Sequence, residues 1–113
     1  MPIEVTTRHM QGEDDIRDYA ESRAAGLVDA FPACEHVHVI LDHEKHLFNA
    51  EVVLQAAHHV RIEAKESLDD MRAAIDGAVD KAERQYRRLM DKVKDHHVAM
   101  KYEESKRERG EEV

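Results

Sequence analysis

The stretch SLDDMRAAIDGAVDKAERQYRRLMDKVKD, residues 67–95, decides the fold. At 3.6 residues per turn, Leu68, Met71, Ile75, Val79, Ala82, Tyr86, Leu89 and Val93 fall on one face. Spacings of three and four sustained this long predict an amphipathic helix that runs to about residue 96. Ser67 reads as its N-cap, with Asp69 and Asp70 in the first turn where the helix dipole favours anions.

Upstream the period changes from helical to alternating. In 59–65, Val60, Ile62 and Ala64 share one face and His59, Arg61, Glu63 and Lys65 the other. In 48–56, Phe48, Ala50, Val52, Leu54 and Ala56 share a face; in 36–42, Val37, Val39 and Leu41 alternate with His36, His38 and Ile40. The links at 42–47 and 57–58 are short, which predicts an antiparallel meander, although neither carries Asn-Gly or Asp-Gly. Further back, Ile16, Ala20, Ala24, Leu27 and Phe31 mark a first helix, acidic at its start (Glu13, Asp14, Asp15) and stopped by Pro32. Residues 3–8 alternate as a further strand. The order is β-α-β-β-β-α. The predicted class is α+β, in two layers: a four-stranded sheet with two helices packed on one face. Residues 1–96 make one domain; 97–113, charged and nearly free of apolar side chains, are expected to be a disordered tail.

Composition narrows the function classes. Cys34 is the sole cysteine, so no internal disulfide forms. No apolar run approaches the length of a membrane span, and Met1-Pro-Ile-Glu4 lacks the basic and apolar regions of a signal peptide. The expectation is a cytoplasmic monomer with no membrane partner, no small-molecule substrate and no cofactor. Formal net charge is −8, which argues against a polyanion as partner until its distribution is read. Residues 81–94 hold six cations (Lys81, Arg84, Arg87, Arg88, Lys92, Lys94) and two anions (Glu83, Asp91). Lys81, Arg84, Arg88 and Lys92 lie within about 80° of one another on the helix, clear of the apolar face, in a row about 16 Å long. Such a row fits several phosphates along one nucleic-acid strand. The bland alternative is a solvated face with pairs such as Asp80 with Arg84. Gly77, in mid-helix, costs about 1 kcal/mol relative to alanine and points to close approach of another backbone, either the first helix in helix-helix packing or a nucleic-acid strand.

Nine histidines include His36-x-His38, His58-His59 and His96-His97. A zinc site needs three or four convergent ligands, and neither HExxH nor a cysteine pair is present. No serine, cysteine or carboxylate stands in a nucleophilic or acid/base arrangement, so nothing argues for an enzyme. Three readings stay open on the residues alone: a nucleic-acid binder, a module docking an acidic protein partner through the basic helix, and a small metal-binding protein using His36 and His38.

The run Met71-Arg-Ala-Ala-Ile-Asp-Gly-Ala-Val-Asp-Lys-Ala-Glu-Arg-Gln85 resembles the signature of the ribosome hibernation promoting factor family, also called ribosome-associated translation inhibitors. The resemblance extends over residues 3–96 and is most specific in this helix. It implies the same β-α-β-β-β-α fold and binding to ribosomal RNA in the decoding region of the small ribosomal subunit. There the protein would occlude messenger and transfer RNA under stress and inhibit translation without catalysis. It implies RNA-binding roles for Lys81, Arg84, Arg88 and Lys92, flanked by Arg87 and Lys94, and for Arg23 on the first helix; Gly26 stands where the family commonly has a lysine. The length suits the short form of the family, whose members either assist ribosome dimerisation with a separate modulation factor or, when they carry a C-terminal tail such as 97–113, oppose it; both behaviours stay open here.

Overall fold

The computed structural model describes residues 2–9 and 14–101, with side chains as far as Lys92. The elements are β1 (Ile3–Arg8), α1 (Asp14–Ala30), β2 (Cys34–Glu44), β3 (Leu47–Ala56), β4 (Val60–Leu68) and α2 (Met71–Lys101), the order expected from the sequence. Two compact units divide the chain, residues 1–83 and residues 84–113.

The first unit holds the sheet, in the order β1-β2-β3-β4. β2, β3 and β4 form the antiparallel meander, with Val39 opposite Val52 and Val52 opposite Ala64. β1 runs parallel to β2, Val5 opposite Val39, because α1 carries the chain back to the end at which β1 began. Alternation sorts the faces. Val37, Val39, Leu41, Ala50, Val52, Leu54, Ile62 and Ala64 are buried on one side. Ile16, Ala20, Ala24 and Leu27 of α1 complete that core with Met71, Ala74, Ile75, Ala78, Val79 and Ala82 of α2. Alanines at 20, 24, 74 and 78, each with no exposed surface, keep the layers close. The other face, with Glu4, His36, His38, Glu51, Arg61, Glu63 and Lys65, is open and polar. In the second unit Tyr86 is buried and Arg84, Gln85, Arg87 and Arg88 are exposed.

Three expectations change. Ser67 is not the cap of α2: β4 continues pairing with β3 as far as Leu68, opposite Phe48, and the Ser67 hydroxyl donates to Asn49 Oδ1. The cap is Asp70, whose Oδ2 accepts from the Ala73 backbone N–H at 2.9 Å. Leu68 therefore leaves the helical seam and stands exposed. α2 also runs past residue 96 to Lys101, since no proline or glycine interrupts residues 78–101. Residues 97–101, expected in the tail, are thus helical, and the remainder of the tail lies outside the described residues. The hairpins turn without glycine: Lys45 takes φ 54°, His58 67° and His59 64°, the left-handed region such tight links demand.

Candidate nucleic-acid interface

Two of the seven expected cations, Arg23 and Lys81, belong to the first unit and five to the second. In the first unit both are engaged. Arg23 of α1 reaches across to α2, its NH2 donating to Asp80 Oδ1 at 3.0 Å and its Nε lying 3.2 Å from Asp76 Oδ1. Tyr19, one turn earlier, donates its hydroxyl to the same Asp76 oxygen at 2.5 Å, and the Arg72 guanidinium sits 4.7 Å from the centre of the Tyr19 ring. The bond to the Asp76 carboxylate, assisted by burial, holds the Tyr19 phenol above its ordinary value. Lys81 is half-buried: its Nζ donates to the Lys65 carbonyl at 3.0 Å and lies 3.4 Å from Glu66 Oε2.

Glu66 reaches Lys81 because of Gly77. A β-carbon on Gly77 would stand 2.9 Å from both Cγ and Oε2 of Glu66, so the carboxylate lies directly on the glycine. The close approach at Gly77 is therefore made by a side chain of β4, not by the backbone of the first helix or of a nucleic-acid strand as expected from the sequence.

In the second unit Arg84, Arg87, Arg88 and Lys92 are exposed. Among the described residues no ion pair engages Arg84, Arg88 or Lys92. Arg84 and Arg88, four residues apart, and Lys92, four further on, occupy successive turns of α2 on one face. The pairing of Asp80 with Arg84 considered from the sequence does not form, because Asp80 turns to Arg23 instead. Lys94 belongs to the helical backbone, and its side chain lies outside the described residues.

The histidines follow the sheet. His36 and His38 share the open face, with Nε2 atoms 3.7 and 3.9 Å from the two carboxylate oxygens of Glu4, and His38 Nε2 bonds Thr6 Oγ1 at 2.8 Å. Among the described residues no group of three or more His, Cys, Asp or Glu side chains could hold a metal ion. Burial raises the Cys34 thiol above its ordinary value, which disfavours the nucleophilic thiolate. No described helix is long and apolar enough to cross a membrane. Sequence reasoning missed Asp76 and Glu66, which engage Arg23 and Lys81, and assigned Asp80 to Arg84 in place of Arg23. For Glu66 the advance signal was Gly77.

Residues 3–94 match the family described as Sigma 54 modulation protein / S30EA ribosomal protein. The ribosome hibernation promoting factor of Salmonella typhimurium is 32% identical over 98 residues, spanning 85% of this chain and 100% of that protein. That of Escherichia coli is 31% identical over 99 residues with the same coverage. Among solved structures, the N-terminal domain of Thermus thermophilus Protein Y superposes with a TM-score of 0.69 at 31% identity, over 79% of this chain and 99% of that one. A ribosomal subunit interface protein from Coxiella burnetii has the same fold, with a TM-score of 0.72 at 19% identity over 80% of this chain and 99% of that one. From the first strand to beyond the last cation of the row, the chain belongs to the S30EA ribosomal protein / sigma 54 modulation protein family.

Proposed function

We propose that this chain is a ribosome hibernation factor of the cytoplasm. It binds ribosomal RNA in the decoding region of the small subunit, blocks the path of messenger and transfer RNA, and so inhibits translation under stress. The observation that carries the reading is the exposed row Arg84, Arg88 and Lys92, with Arg87 beside it, in a chain of net charge −8. From Arg84 to Lys92 the helix rises about 12 Å, enough to meet successive phosphates of one strand. Family membership and relatives named for ribosome hibernation, matched over their full length, support the same reading. The act is occlusion and requires no catalytic group. Residues 1–96 carry the binding. A protein-interaction module or a metal protein has no comparable support.

The test is co-sedimentation with purified small ribosomal subunits. R84E/R88E reverses two exposed charges and leaves the buried face of α2 intact, so the variant should fold and fail to pellet with subunits. Wild-type binding should weaken as salt rises, because cations that neutralise phosphates release counterions. Undiminished binding by the variant, or binding indifferent to salt, refutes the proposal. A protein partner would survive digestion of the RNA.

A further inference from the structure

We propose that Glu66 is an affinity-limiting residue of this interface: it withholds Lys81 from the polyanion, and Gly77 is the residue that allows it to. The inference rests on the polyanion-binding reading above and says which cations that reading counts.

Both contacts of the Lys81 ammonium come from β4, the Lys65 carbonyl at 3.0 Å and Glu66 Oε2 at 3.4 Å. Glu66 sits on the helix-facing side of its strand, in the row of buried Ile62 and Ala64, where a carboxylate is out of place. It fits because residue 77 has no β-carbon to occupy the same space. As a stability device the arrangement gains little. A glycine inside a helix is less stable than an alanine there. An ion pair whose side chains are 42% and 26% exposed is screened by solvent and contributes little. The two nearly cancel, so stability does not account for placing a carboxylate on this lysine. Its electrostatic effect is large by comparison. A lysine neutralised by a fixed carboxylate adds no net charge to the row and displaces no counterion from RNA. Arg23, held between Asp76 and Asp80, is withheld by the same means on α1. The salt dependence of binding should then count Arg84, Arg88 and Lys92 but neither Lys81 nor Arg23.

The experiment is a cycle of four full-length proteins, wild type, E66Q, K81Q and E66Q/K81Q, measured against small ribosomal subunits over a salt series at constant magnesium, and in parallel by elution from heparin. Glutamine keeps the size of Glu66 and removes its charge. E66Q should steepen the plot of log K against log salt by about 0.7–0.9, one added phosphate contact, which is about sixfold tighter binding at 0.1 M than at 1 M relative to wild type. It should also leave heparin at higher salt. K81Q should abolish that gain in the E66Q background and cost far less in wild type. A purely structural role for Glu66 would not make the gain depend on Lys81. Equal slopes for E66Q and wild type, or a gain that survives in E66Q/K81Q, overturn the inference. If heparin shows the expected cycle and wild type ignores ribosomal subunits, the hibernation reading falls and the role of Glu66 stands.

Discussion

Replacing Gly77 by alanine should behave differently depending on residue 66, and the difference is calculable. In open space a helical Gly→Ala change stabilises by about 1 kcal/mol, because glycine loses more backbone freedom on folding. Here the new β-carbon would lie 2.9 Å from Cγ and Oε2 of Glu66 and 3.3 Å from its Cδ. No real β-carbon tolerates the shorter distance, so Glu66 must swing away from Lys81. The swing forfeits an ion pair of about 0–1 kcal/mol and packing along the helix. The gain and loss offset each other, and G77A alone should leave stability within about half a kcal/mol of wild type. In an E66A background nothing opposes the methyl group, and the full helical gain of about 1 kcal/mol should appear. The coupling in this cycle is therefore close to 1 kcal/mol. Urea denaturation followed by far-ultraviolet circular dichroism resolves it: at a slope of about 1–3 kcal/mol/M it moves the midpoint by about 0.3–1 M. Equal stabilisation in both backgrounds would show that Glu66 does not rest on Gly77, and the account of Lys81 would lose its foundation.

Ile75 has no exposed surface, so Ile75→Ala should cost about 2–5 kcal/mol in the same assay, and a loss below 1 kcal/mol would contradict its place in the core. Asp70→Ala should cost about 1 kcal/mol by leaving the first turn of α2 uncapped, whereas Ser67→Ala should cost less than half of that; the reverse ranking would restore Ser67 as the cap. Tyr19 should ionise above the ordinary 10.0, as tyrosinate absorbance in an alkaline titration of single Tyr→Phe variants will report. Because its folded value is raised, the stabilisation by the Tyr19–Asp76 bond is complete below the unfolded value and is lost as pH climbs through the folded one. Asp76→Asn should lower that value, and no change would mean the carboxylate is not its cause.

Much of the architecture was legible from residue types. Alternation at 48–56 and 59–65 identified the buried faces of β3 and β4, because side chains on a strand point to opposite sides whatever surrounds them. The apolar seam of α2 was equally plain from Met71 to Tyr86. Boundaries were less so. Ser67 and Asp70 are both good caps, and the choice fell to the pairing of Leu68 with Phe48, a contact 20 residues away in the chain. The hairpins were hard to place because Lys45, His58 and His59 adopt a conformation usually reserved for glycine or asparagine.

The charges of the interface lay furthest from view. Asp80 stands four residues before Arg84, a spacing that promises a pair on one helix, yet it binds Arg23 of α1. Lys81 belongs by angle to the same row as Arg84 and Arg88, yet it is tied to β4.

By itself the sequence determined the succession of elements, their apolar faces and the presence of a basic row on the last helix, since periodicity and composition are properties of neighbouring residues. Which cations are neutralised was settled on folding, since an ion pair depends on distances between elements that meet only then: Lys81 of that row finds its carboxylate on β4, and Arg23 of α1 finds two on α2.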